Sequence, residues 1–196
     1  MNPAVVAIAI VVSYLIGTIP NAIMVARAKG VDITSVGSGN PGASNIGRAL
    51  GFRYFVLVFV LDAAKGLIPA AAMLNDRHVA YLCGAAAILG HVYPVTRRFQ
   101  GGKGLATGAG VLLALFPVIM PICAVAWFVI QKLSKKAALA SVLVVPLAMV
   151  LIPVMGGHDV WEFFAFIGIG VVIEIRHVSN IRRLLSGSEN TLDFNK

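Results

Sequence analysis

Seven apolar runs, at 3–26, 54–74, 79–96, 105–116, 118–131, 137–155 and 160–175, take up most of this 196-residue chain, and few ionisable residues interrupt them. In lipid every backbone N–H and C=O has to be satisfied within protein, which a helix does alone and a strand does only in a closed barrel. A helical crossing takes about 20 residues, so two of the runs, 105–116 and 118–131, are short for a crossing. With 59% hydrophobic and only 12% charged residues, the composition lies outside the range of soluble domains. The expectation is an all-α integral membrane protein of seven membrane helices, some short, forming one polytopic domain over 1–196.

Two details refine the segments. Pro117 and Pro121 sit near the middle of the stretch from Gly104 to Gln131, and proline removes a donor and clashes with the preceding turn. Two short helices hinged there are therefore expected in place of one long one. The run 3–26 has no basic segment before it and no small-residue cleavage site before Arg27, so it reads as a retained first helix and not a cleaved signal. Cys83 and Cys123 lie inside apolar runs and read as small core residues, with no disulfide and no metal site.

Positive charge sets the orientation. Arg27, Lys29, Arg48 and Arg53 flank the first connection, Arg97, Arg98 and Lys103 the third, Lys132, Lys135 and Lys136 the fifth, and Arg176, Arg182, Arg183 and Lys196 the tail. The alternate connections, 75–78, 116–121 and 156–160, hold a single basic residue, Arg77, with Asp76 and Asp159. The positive-inside rule then places the N-terminus outside and the C-terminus in the cytoplasm. A five-span arrangement, with the proline-containing stretch and its neighbour placed differently, keeps both ends where they are.

The basic connections also hold the Gly, Ser and Asn clusters. The first reads Gly37-Ser38-Gly39-Asn40-Pro41-Gly42-Ala43-Ser44-Asn45-Ile46-Gly47-Arg48. Glycines let successive amides turn into an anion-binding concavity; Ser38, Ser44 and Asn45 add donors, and Arg48 adds a planar fork suited to phosphate. A flexible turn is the plainer reading, but it needs no Arg. The second runs from His91-Val92-Tyr93-Pro94 to Phe99-Gln100-Gly101-Gly102-Lys103-Gly104-Leu105-Ala106-Thr107 and opens into an apolar helix. Free amides at such a helix start favour an anion, while Lys103 alone could serve as a positive-inside anchor. It is not a Walker A loop, because Gly104 stands where Ser or Thr must follow the Lys.

The third reads His177-Val178-Ser179-Asn180-Ile181-Arg182-Arg183, then Ser186-Gly187-Ser188-Glu189. If the last helix continues this far, His177 and Asn180 share a face, and His177 is a base or a phosphate donor; structural pairing and lipid anchoring are the alternatives. Within the apolar runs, Asp62 and Lys65 lie one turn apart and read as a structural pair, with Lys65 at an anion site as the alternative. Ser141 reads as a helix-packing residue close to the basic 132–136 segment, and Glu174 as a partner of Arg176 or Arg182.

Together the three motifs resemble the PlsY-type family of bacterial membrane glycerol-3-phosphate acyltransferases that use acyl-phosphate as donor. The resemblance covers nearly the whole chain. It includes Tyr14-Leu15-Ile16-Gly17-Thr18-Ile19-Pro20, the three motifs in order, Asp62-x-x-Lys65-Gly66, and the closing Gly187 and Glu189. Two departures stand out: Ser44 where Thr is usual, which keeps the hydroxyl, and Val178 where a basic residue often follows the His.

The resemblance implies acyl transfer from acyl-phosphate to the sn-1 hydroxyl of glycerol 3-phosphate, giving lysophosphatidic acid and phosphate, at a bacterial inner or cell membrane with the site facing the cytoplasm. Ser38, Arg48, Lys103, His177 and Asn180 are then the expected catalytic set. Gly37, Gly39, Asn40, Ser44, Asn45, Gly101, Gly102, Gly104 and Ser141 complete the phosphate-binding set. No metal or cofactor is implied. The expected partners are the two substrates, membrane lipid and a soluble enzyme that makes acyl-phosphate, with no nucleic acid. The chain lacks the His-x4-Asp arrangement of many acyl-CoA acyltransferases, and no Ser-His-Asp triad is evident. A transporter of organic phosphate and a lipid-synthesis scaffold are the rival classes. One-sided motif charge and the lack of an internal repeat argue against the first, and the scaffold leaves the Gly/Ser/Asn motifs without a role.

Overall fold

The computed structural model describes residues 1–155 and 159–194, and all regular elements among them are helical. Five stretches are long and apolar enough to cross a membrane, Pro3–Arg27, Phe52–Ala71, Arg77–Arg97, Ala137–Val154 and Val160–Leu185, and two shorter apolar helices, Leu105–Leu115 and Ile119–Ser134, accompany them. The connection expected at 156–160 lies largely outside the described residues, as does Lys196. The chain divides into two compact units, Met1–Leu115 and the segment from Phe116 onward.

In the first unit, α1 (Pro3–Gly17) starts where the Asn2 side chain accepts from Ala4 N at 2.9 Å and Pro3 occupies the first turn. The single run expected at 3–26 is interrupted. Thr18, Ile19 and Pro20 leave the helix, and α2 (Asn21–Arg27) resumes it, because Pro20 supplies no N–H and its ring conflicts with the turn before it. A second departure is α3 (Ala43–Leu50), which turns the latter half of the first motif, read as a loop, into a helix that buries Ala43, Ile46 and Gly47 on one side. The helical spacing of those residues within a mostly polar segment is its signal.

Then come α4 (Phe52–Ala71), α5 (Arg77–Val92), capped by Asp76 accepting from Val79 N at 3.3 Å, and α6 (Leu105–Leu115). Small residues let these helices meet backbone to backbone, the packing that membrane helices favour. A Cβ on Gly66 of α4 would strike the Thr107 carbonyl oxygen of α6, and one on Gly110 the Ala63 carbonyl oxygen. Tyr14 ties α1 to the end of α5, donating to the Tyr93 carbonyl at 2.7 Å and accepting from Val95 N at 3.1 Å. On its other side α1 exposes Val5, Ile8, Val11, Val12 and Leu15, an apolar stripe suited to lipid.

In the second unit, α7 (Ile119–Ser134) is separate from α6, as the prolines predict: Pro117 lies in the break and Pro121 in the first turn of α7, where a missing N–H has no helical acceptor to lose. Next are α8 (Ala137–Val154) and α9 (Val160–Leu185), which continues well past the expected end at 175. Polar residues enter α9 there, but its buried stripe goes on through Ile173, His177 and Asn180. Gly187, at φ +72°, turns the chain back. Leu192, 1% exposed, donates its N–H to the Lys135 carbonyl at 2.7 Å and accepts from Gln131 Nε2 at 2.7 Å, while Lys135 pairs with Asp193 at 2.9 Å.

Candidate active site

The first motif is built around Asn45. Its side chain is 1% exposed, donates to the carbonyls of Ile33 at 3.1 Å and Val36 at 2.9 Å, and accepts from Ser38 N at 3.1 Å. Both amide hydrogens are thus engaged inside the loop, so Asn45 shapes the motif and is not the outward donor the sequence suggests. Gly37 and Gly39 take φ of +57° and +66°, which lets the chain curl over that amide, and a Cβ on Gly37 would strike Asn45 Oδ1. The Ser38 hydroxyl accepts from Asn40 N at 3.4 Å, Ser44 stands in the first turn of α3, and the Arg48 stem runs past Gly37. At the loop's entry Asp32 accepts from Thr34 N at 3.0 Å and Thr34 Oγ1 at 2.6 Å. The Thr34 side-chain and backbone bonds hold its carboxyl below the usual range.

The second motif hangs from the end of α5. Gly101 N donates to the Val92 carbonyl at 3.2 Å and Gly102 N to the His91 carbonyl at 3.1 Å. These two amides face the protein, not the anion expected of them, because the loop has to satisfy carbonyls that the end of α5 leaves open. Glycine is required here by close approach: a Cβ on Gly102 would strike His91 Nε2. Lys103 follows, half-buried, and Gly104, at φ +87°, leads into α6. Pro41 of the first motif and Gly101 and Gly102 of the second line one small cavity of about 20 Å³, so the first unit brings these two motifs together. Beside it opens a larger cavity of about 900 Å³ whose lining includes Arg27, Arg97, Thr34 and Thr96; the sequence marks Arg27 and Arg97 only as topology charges.

In the second unit His177 and Asn180 lie on the buried stripe of α9, each 3% exposed. His177 Nδ1 is 2.9 Å from the Ile173 carbonyl oxygen. A carbonyl only accepts, so Nδ1 carries the hydrogen, and in the neutral form of the ring the lone pair lies on Nε2. Asn180 Nδ2 and Arg183 Nε each donate to Glu189 Oε2 at 3.0 Å. Glu189 is 5% exposed, and the sequence supplied it as a motif member without a role; the turn at Gly187 is what returns it to α9. Ser141 follows the plainer reading: its hydroxyl donates to the Ala137 carbonyl at 2.8 Å and accepts from Trp127 Nε1 at 3.1 Å, joining α8 to α7. Among the described residues no group of His, Cys, Asp and Glu is arranged to hold a metal ion.

A helical chain with five stretches long and apolar enough to cross a membrane belongs among polytopic membrane proteins. The family model described as glycerol-3-phosphate acyltransferase matches residues 7–187. A glycerol-3-phosphate acyltransferase of Aquifex aeolicus is 42% identical over 185 residues, covering 92% of this chain and 96% of the relative, and one of Desulforudis audaxviator is 39% identical over 205 residues with both chains fully covered. Crystal structures of PlsY, an integral membrane glycerol 3-phosphate acyltransferase, superpose with TM-scores of 0.90 for the glycerol 3-phosphate form and 0.88 for the lysophosphatidic acid form. Their sequence identities are 40% and 39%; the first covers 96% of this chain and 96% of its own, the second 97% and 96%. The chain belongs to the PlsY-type glycerol-3-phosphate acyltransferase family and is an integral membrane protein.

Proposed function

We propose that the protein transfers a fatty acyl group from a long-chain acyl-phosphate to the sn-1 hydroxyl of glycerol 3-phosphate, releasing lysophosphatidic acid and inorganic phosphate, the first step of phospholipid synthesis. The observation that carries this reading is the near full-length likeness to PlsY in forms named for an acceptor and for an acylated product. The acceptor oxygen forms a bond to the acyl carbon, the bond from that carbon to the phosphate oxygen breaks, and phosphate leaves with the electron pair. Because the donor is a mixed anhydride with a good leaving group, positioning of the two phosphorylated substrates supplies much of the rate.

Arg48, Lys103 and Ser38 bind phosphate from the basic loops, and their charge offsets that developing on the carbonyl oxygen and the leaving group. Gly37, Gly39, Asn40, Ser44 and Gly104 frame those loops, while Asn45, Gly101 and Gly102 hold their shape. His177 and Asn180 orient substrate, and Nε2 is the His177 nitrogen able to take the proton of the attacking hydroxyl; a substrate phosphate is the other acceptor. The reading includes a single polytopic domain in a bacterial inner or cell membrane, an outside N-terminus, a site facing the cytoplasm, and a soluble enzyme supplying the acyl-phosphate.

Phosphate release from palmitoyl-phosphate by the purified protein in detergent, with and without glycerol 3-phosphate, tests this. Acceptor-dependent release that disappears in Arg48→Ala is expected. A folded preparation that turns over neither acyl-phosphate nor acyl-CoA would overturn the reading and favour transport.

A further inference from the structure

Asp62 and Lys65 of α4 are 1% and 5% exposed, within a membrane span. Apolar residues of similar volume are often as stable as a buried ion pair, so its presence calls for a use. A lysine ammonium has three hydrogens, and Lys65 has three acceptors around it: Asp62 Oδ1 at 2.8 Å, the Ile19 carbonyl at 2.8 Å and His91 Nδ1 at 3.0 Å. Its coordination is full, which removes it from the candidates for binding substrate. The use therefore lies in what it holds.

Ile19 belongs to the break between α1 and α2, and just beyond that break Asn21 Nδ2 donates to Asp62 Oδ1 at 3.0 Å. His91 is the more consequential partner. An ammonium can only donate, so His91 Nδ1 accepts and the neutral ring carries its hydrogen on Nε2. The Nε2 edge is the surface against which Gly102 rests, while the His91 carbonyl takes the Gly102 amide at 3.1 Å. Ring and carbonyl of one residue thus grip the glycine immediately before Lys103. Lys65, His91, Gly101 and Gly102 all line the cavity of about 20 Å³ that Pro41 of the first motif also borders.

We propose that His91, fixed in its Nε2–H tautomer by Lys65, is a positioning residue that sets the second motif, and with it Lys103, for the substrate phosphate. The inference rests on the acyltransferase reading. It predicts a defect in acceptor binding that follows the hydrogen bond from Lys65 and not the imidazole as such. Asparagine places its carbonyl oxygen near the Nδ1 position and can accept from Lys65; glutamine reaches toward Nε2, and leucine accepts nothing.

The test is steady-state kinetics of the detergent-purified full chain, with glycerol 3-phosphate varied and thermal melting as the fold control. His91→Leu and Lys65→Met are expected to raise KM for glycerol 3-phosphate by roughly tenfold to a hundredfold, the scale of a small misplacement, with a smaller change in kcat. His91→Asn is expected to recover most of that loss, and His91→Gln is not. Unchanged KM in a folded His91→Leu protein overturns the proposal, and so does equal behaviour of His91→Asn and His91→Gln. The last comparison stands even if the leucine variant does not fold. Wild-type protein without acceptor-dependent turnover instead sinks the acyltransferase reading, a result visible before any variant is made.

Discussion

At the scale of single residues, hydrogen-bond direction separates groups that the sequence places on an equal footing. The bond from His177 Nδ1 to the Ile173 carbonyl makes Nε2 the nitrogen that bears the lone pair in the neutral ring. If that nitrogen is the base, His177→Gln lowers kcat by about 10²–10⁴ while equilibrium binding of glycerol 3-phosphate persists; parallel loss of binding and rate assigns His177 to positioning. Ser141 stands at the opposite pole, with its hydrogen given to Ala137 and its oxygen to Trp127. Ser141→Ala should lower stability by about 1 kcal/mol, read by thermal denaturation, and leave KM for glycerol 3-phosphate within about twofold. Residue types in the motifs were legible because phosphate needs donors and cations. Which donors face inward was not, since Asn45 and the Gly101 and Gly102 amides reveal their partners only once Ile33, Val36, His91 and Val92 have been placed.

Among elements, the apolar runs could be read as helices almost to their ends, while the departures came from local chemistry. A proline at position 20 split α1 from α2, the last six residues of a glycine-rich motif entered α3, and polar residues at the end of α9 kept a buried stripe that hydropathy does not register. The backbone contacts of α4 with α6 make a sharp prediction. Gly110→Ala would drive its methyl into the Ala63 carbonyl, and overpacking of this kind costs about 1–3 kcal/mol, measurable as a lower melting temperature in detergent. The entry of the first motif predicts a pH effect. Because Thr34 holds the Asp32 carboxyl below its usual value, the turn gains stability above the unfolded carboxylate pKa of about 3.9 and loses it as pH falls through the depressed folded value. Protection of the Thr34 amide, its exchange relative to an unstructured peptide at the same pH, should fall across that acid window, and Asp32→Asn should remove that change in protection.

For the whole molecule, charge and hydropathy announced a membrane protein, and the order of the motifs announced its family. The return of the tail was invisible to both, because Gln131, Lys135 and Leu192 carry no motif and meet through one side-chain and one backbone donor to main-chain carbonyls. Leu192→Ala should destabilise the second unit by about 2–5 kcal/mol, as large-to-small changes at buried sites do. The Glu189 carboxylate that engages Asn180 and Arg183 has a consequence for biosynthesis. Chains fold from the N-terminus as they are made, so the basic loops emerge early, whereas this carboxylate leaves the ribosome only after the His177 helix. A nascent chain stalled before residue 189 therefore carries both loops and the His177 helix but lacks the acid that engages Asn180 and Arg183.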